Sequence, residues 1–305
     1  MTIRPLLVFL LFSTPAAFAQ RTVAPVPEMT KTAMWDVAFT DSLHGFAVGD
    51  YGVIQRTMDG GRSWIPSRSS AQLAFRNVHF FTPVIGIASG FWATLFRTTD
   101  GGESWLPVQL GRKTHLPGLA AAGTSTVWLS GDKGTILKST DAGLTWVAQH
   151  SGTDKMLDAI SFADSLHGWC SSVQGLLLRT TDGGATWRQQ KPPSNIPATS
   201  LAARSPQVCW LAGYNGLVCK TEDGGATWSK KDAYLTHLNK VRFDARGRGW
   251  AVGKRGVVLR SDRKGEHWRL HATAEAEVLN SIAFISDTVA VAVGNDGAIF
   301  RFGTR

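Results

Sequence analysis

The chain is short of the residues that cross-link proteins or carry reactive chemistry. Three cysteines, Cys170, Cys209 and Cys219, are too few for a disulfide scaffold in 305 residues. Cys209 and Cys219 flank the turn at residues 213–216, where they either face each other across one hairpin or act as small buried apolar side chains. Tyrosine also numbers only three, which leaves little choice for a phenolic nucleophile. Acidic residues are outnumbered, 23 against 32 basic, giving a formal charge of +9. That sign favours acidic protein surfaces or anionic lipid heads as partners.

Long apolar runs are missing too, so no segment is expected to span a bilayer. The main one, residues 6–12, lies between Arg4 and the small-x-small triplet Ala17, Phe18, Ala19, the pattern of a secretory signal cleaved after Ala19. Removal of residues 1–19 takes away Arg4 and leaves +8. The expected product is a single domain, residues 20–305, in the periplasm or secreted. His44 and His167 sit three repeats apart and cannot share an ion, and the Asp-Gly pairs lack the spaced carboxylates of a calcium loop. No metal or cofactor is expected, and no nucleic-acid-binding motif is present.

Repetition is what the sequence has in abundance. Close copies of one octapeptide occupy residues 57–64 (TMDGGRSW), 98–105 (TTDGGESW), 139–146 (STDAGLTW), 180–187 (TTDGGATW) and 221–228 (TEDGGATW), with a worn sixth at 261–268 (SDRKGEHW). Their tryptophans are spaced by 41, 41, 41, 41 and 40 residues, a period that signals a repeat architecture. The pattern resembles the Asp-box of sialidase-type β-propellers. Its carboxylate can accept backbone N–H groups of its own turn, glycine supplies a positive φ, and tryptophan packs beneath. Asp59, Asp100, Asp141, Asp182 and Asp223 are therefore read as scaffold, because a residue present in every unit maintains the unit.

Between boxes the apolar residues alternate, as in strands. A first strand such as 35–39 is followed by one carrying a bulky residue at a fixed place: Phe46, Ile87, Trp128, Trp169, Trp210, Trp250 and Val291. A tight glycine-bracketed turn follows, then a third strand ending in Arg56, Arg97, Lys138, Arg179, Lys220, Arg260 or Arg301. The recurrence of that basic residue implies a local structural partner rather than a ligand. Four strands per unit and seven units predict an all-β, seven-bladed β-propeller of antiparallel blades. The seventh unit stops before its fourth strand, and the repeat spacing assigns that strand to Thr22 to about Val26, with Pro25 and Pro27 tolerated at an edge.

Seven Trp/Gly-rich repeats behind an export signal, the run VAFTDSLHGFAVGDYGVIQRTMDGGRSW at 37–64, and its near copy at 160–187 resemble the photosystem II stability/assembly factor family. The resemblance covers nearly all of the mature chain. It implies a non-catalytic binding scaffold, since members help assemble the photosystem II reaction centre by binding nascent core subunits. The partner it implies is a protein, such as a membrane-complex subunit.

Candidate sites are the places where the repeat is broken. Phe91 and Trp92 replace polar residues in the second turn, Tyr51 and Tyr214 occupy two others, and Lys254 and Arg255 form a basic pair in a sixth. Exposed aromatics at hairpin tips resemble interface anchors; the alternative is that Phe91 and Trp92 fold back over the core. Around the channel mouth, Trp35, Arg76, Asp158, Asn239 and Asn280 share one repeat position and form a candidate polar ring. A carbohydrate-binding or sialidase-like glycoside hydrolase is the alternative function, with Asp36 and Asp158 as a possible carboxylate pair. Against it, the Arg-Ile-Pro signature of sialidases is absent, Phe75-Arg-Asn-Val78 does not match it, and only Tyr234 is placed to reach the channel.

Overall fold

The computed structural model describes residues 19–21, 31–194, 197–231, 233, 236–274 and 278–304. Within them the repeats fold into seven antiparallel sheets, and the protein is an all-β, seven-bladed propeller. The innermost strands are Met34–Phe39, Phe75–Phe80, Gly118–Ala122, Ala159–Phe162, Ala198–Ala203, Leu238–Phe243 and Leu279–Ser286. Each blade then runs outward in chain order, its strands pairing with their sequence neighbours except for Ala19–Arg21 and Arg68–Ser69. Blade 2 gains a fifth strand, Arg68–Ser69, laid parallel to Ser104–Pro107 by the connection leaving blade 1.

The Asp-box turns form as their chemistry demands. In the fourth box the Thr186 amide and hydroxyl donate to Asp182 at 2.9 and 2.6 Å, and the Thr180 hydroxyl donates at 2.8 Å. These bonds outweigh desolvation and hold the Asp182 carboxyl at about 2. Asp59, Asp100, Asp141 and Asp223 sit in equivalent nets, also at about 2. The paired glycines take positive φ throughout, and even Ala142, which replaces one of them, is forced to φ 57°.

The turns are gripped by the preceding blade. The recurrent basic residue reaches into the next blade, although Lys220 also pairs with Glu222 of its own blade at 2.8 Å: Arg97 Nε donates to the Ala142 carbonyl at 3.0 Å, and Lys138 Nζ to the Gly183 carbonyl at 3.0 Å. Lys220 reaches the Lys264 carbonyl at 3.1 Å, and Arg301 closes the circle on the Gly60 carbonyl at 2.9 Å. The bulky second-strand residue presses on the same turn. A methyl group added to Gly143 would lie 2.7 Å from Ile87 of the preceding blade, and one added to Gly102 would collide with the Phe46 ring. The apolar core is accordingly divided into seven clusters between neighbouring blades, with Trp64, Trp128, Trp169 and Trp250 fully buried.

Blade 7 meets blade 1 through the same contacts, Val291, Val293 and Ile299 packing on Met34, Val37 and Trp64. The expected closing strand, Thr22 to about Val26, lies outside the described residues. The segment paired with Ile299–Gly303 is Ala19–Arg21, in the register Gln20 opposite Arg301. Cysteine pairing across the fifth hairpin does not occur: Cys209 stands opposite Thr221 and Cys219 opposite Leu211. Both are free and buried. His44 and His167 cap their own turns, with Nδ1 at 2.8 and 2.9 Å from Asp41 and Asp164.

Three outcomes are expected from these contacts. Arg301→Ala strands the buried side of the Gly60 carbonyl and lowers stability by about 1–3 kcal/mol in a denaturant titration, with Arg301→Lys recovering most of it. Because the Asp-box carboxyls titrate at about 2, below an unfolded value of about 3.9, their stabilisation is complete above pH ~4 and disappears as pH falls toward 2. The melting temperature should drop steeply across that window, and less steeply in Asp182→Asn, which starts lower at neutral pH. Deletion of residues 20–28 should lower the melting temperature sharply; an unchanged value would rule out a closing role for the leading segment.

Candidate functional site at the channel mouth

The strand-to-strand turns facing one end of the channel are single 3-10 turns, Asp50–Gly52, Phe91–Ala93, Asp132–Gly134 and Tyr214–Gly216 among them. Their tip residue adopts a left-handed backbone whatever its side chain: Tyr51 φ 56°, Trp92 φ 55°, Lys133 φ 51°, Asn215 φ 54°, Arg255 φ 61° and Asp296 φ 55°. The turn therefore dictates the backbone and leaves the side chain unconstrained. Asparagine or glycine is the least strained occupant of such a position. An aromatic residue there is not explained by folding.

Tyr51 is 70% exposed, Trp92 58% and Tyr214 39%, while Lys254 and Arg255 are exposed beside them on the same face. The two readings of the second turn divide between its residues. Phe91 is half-buried, 5.0 Å from the His115 ring, whereas Trp92 only leans on that histidine at 4.5 Å and keeps its outer face free. Tyr214 leans on His237 in the same way at 3.9 Å. These two histidines, two residues before Pro117 and Asn239 in the repeat, escaped sequence reading; their shared repeat position was the available signal.

Inside the rim lies a cavity of about 310 Å³. All five residues predicted for the channel mouth line it, and Tyr214 joins them. Of the turn-face candidates Tyr214 alone reaches the cavity, so the turn face adjoins the channel mouth there. The roles of the five differ, however. Asn239 donates to the Leu279 carbonyl and Asn280 to the Met34 carbonyl, both at 2.9 Å, so these amides are committed to joining blades. The Trp35 indole N–H is fixed by Asp50 at 2.6 Å, and the Arg76 guanidinium stacks over its ring at 3.6 Å with Phe91 at 5.2 Å on the other flank. Burial draws Arg76 down to about 10 while Asp50, Asp36 and Asp158 support its charge. Burial pushes the Asp158 carboxyl up and Asp132 adds to this, against the Val173 amide at 2.8 Å and Arg76.

Asp36 and Asp158 are not a catalytic pair. Asp36 lies one residue further along its strand, buried, with Arg242 at 2.8 Å and the Ser281 hydroxyl at 2.5 Å. Its burial favours protonation, but Lys240, Arg242 and the hydrogen bonds prevail and its pKa is lowered. A carboxylate ion-paired with Arg242 and held by hydrogen bonds from Ser281 and the Val78 amide is unavailable as a general acid. Among the described residues no group of three His, Cys, Asp or Glu side chains is placed to hold a metal ion.

The structure is similar to that of YCF48 from Cyanidioschyzon merolae, with a TM-score of 0.75 at 20% identity over 93% of this chain and 98% of that one. A structure of YCF48 bound to D1 peptide gives 0.76 at 20% identity, covering 94% and 97%. The WD40 β-propeller domain of Doa1 gives 0.79 at 12% identity, covering 94% and 97%. At such identities these likenesses show the fold alone. No match was found among curated protein sequences. The sequence itself does match the family of Photosynthesis system II assembly factor YCF48 over residues 20–154, 149–231 and 194–272, which places this chain in that family.

Proposed function

We propose that this chain is a non-catalytic assembly scaffold that binds a subunit of a membrane complex through the face onto which its channel opens. One observation carries the reading: large aromatic side chains occupy left-handed turn tips that folding would fill with asparagine or glycine, and they point into solvent. Tyr51 and Trp92 supply apolar area, and Tyr214 extends it toward the channel. Lys133, Lys254 and Arg255 stand exposed around them, suited to an acidic protein surface. Membership of an assembly-factor family, one of whose solved relatives is described as bound to D1 peptide, supports a polypeptide rather than a sugar as the partner. Export to the periplasm or beyond, with Ala19 the last residue removed, is part of the same proposal; the mature protein should begin at Gln20 by N-terminal sequencing.

Replacing Tyr51 and Trp92 together by asparagine tests the docking face without threatening the fold. The variant should melt at the wild-type temperature or slightly above it, since backbone strain is relieved. Its yield of co-purified partner from detergent-solubilised membranes of the native host should fall at least tenfold, the loss of two interface anchors of about 1–2 kcal/mol each. Undiminished recovery of the same partner would remove this face from consideration.

A further inference from the structure

The channel-mouth cavity holds two cations that the architecture does not use. The side-chain amides of that wall and Thr199 are occupied within the fold: the Asn77 amide by the Pro117 carbonyl, Asn239 and Asn280 by neighbouring blades, Thr199 by the Leu238 carbonyl. Among the described residues, by contrast, neither the Arg76 guanidinium nor the Lys240 ammonium has a hydrogen-bond or ion-pair partner, although both line the cavity. Lys240 feels Asp36 only at longer range, because Asp36 spends its oxygens on Arg242, Ser281 and the Val78 amide.

Arg76 is also held in place. Trp35 beneath it is pinned by Asp50, and Phe91 closes its other flank. A guanidinium fixed by stacking keeps its donors free and pays little conformational entropy on meeting a planar acceptor. We infer that this cavity is a carboxylate-binding site, in which Arg76 makes the paired contact and Lys240 adds the second charge.

The balance of charge selects the class of anion. Among the groups lining the cavity two cations stand against the Asp158 carboxyl, with Asp50 and Asp36 behind them, a balance that suits a monoanion and is too small for a phosphate dianion. The walls beside the charges are the Trp35, Tyr214 and His237 rings, which suit an aromatic or apolar group next to the carboxylate. At about 310 Å³ the space lies at the small end of ligand pockets, ~300–1,000 Å³. It accepts a chain end or a small acid, not a folded surface. The shared chemistry is a carboxylate flanked by an apolar group, carried either by a polypeptide C-terminus or by a free organic acid. The inference rests on the docking reading only for the face it uses, and Tyr51 and Trp92 lie outside the cavity lining.

Isothermal titration of the full-length mature protein with three probes decides the matter: N-acetyl-Gly-Phe with its carboxylate free, the same dipeptide as its amide, and phenylacetate. The free acid should bind at least tenfold more tightly than the amide, the difference expected for a charge-assisted paired hydrogen bond. Arg76→Gln should remove that preference, and Arg76→Lys should restore it only in part. Binding of phenylacetate as well as the dipeptide identifies a free acid as sufficient; binding of the dipeptide alone identifies a chain end. Equal affinity for acid and amide, no binding of either up to 10 mM, or an undiminished preference in a folded Arg76→Gln protein would overturn the assignment. The docking proposal is unaffected by any of these results, since the Tyr51 and Trp92 double variant measures it separately.

Discussion

The propeller depends on a contact made between blades rather than within them. Asp-box turns offer a carbonyl and a bare glycine to the blade before them, and that blade commonly answers with a cation and a large apolar side chain; at the fifth box Gln190 takes the Gly224 carbonyl while Arg179 bonds Pro206. The Arg97–Ala142 and Lys138–Gly183 bonds, and the pressure of Ile87 and Phe46 on Gly143 and Gly102, are instances of one joint. A buried carbonyl without a partner is costly, and a Cβ in that space would be a steric clash. The joint therefore constrains two blades at once. Repeat proteins gain stability from such nearest-neighbour terms, and a closed ring uses one more of them than an open array.

Similar parts join blade 7 to blade 1. Arg301 grips the first box and Val291 presses on Gly61. At the other side of that blade Arg260 donates to the Thr304 carbonyl at 3.1 Å in place of a box carbonyl. The Asn280 amide and the Ser281 hydroxyl then add inner-strand bonds to Met34 and Asp36. The junction between blades 7 and 1 uses the same kind of contact as the Arg97–Ala142 and Lys138–Gly183 joints.

A scaffold held at its Asp-box face leaves the opposite face free to vary. The left-handed tips are enforced by the turn, so tyrosine, tryptophan, lysine, asparagine, arginine or aspartate can stand there at a similar backbone geometry. Surface chemistry can change on this face without disturbing the joints beneath. The channel mouth follows the same logic at one remove: Trp35, Asn239 and Asn280 are spent on hydrogen bonds or packing within the fold, while Arg76 and Asp158 are left to face the cavity. Departures from the repeat are where function is expected, because regularity is what folding requires.

The sequence alone determined the module, its length, its count and the role of its carboxylates, because backbone-directed chemistry such as Asp59 accepting its own turn's amides is local and recurs at a constant interval. It also identified Trp35, Arg76, Asp158, Asn239 and Asn280 as one ring, since residues at one repeat position must come together when the ring closes. It did not show that the recurrent cations reach into the next blade, that Asn239 and Asn280 are already occupied, or that Lys240 is not. Whether Cys209 and Cys219 face each other was likewise open in the sequence, and strand register keeps them apart. Those are properties of partners 40 or more residues away, as in the 45-residue span from Arg97 to Ala142. Only the packed ring decides which donor meets which acceptor and which charge is left over to bind something else.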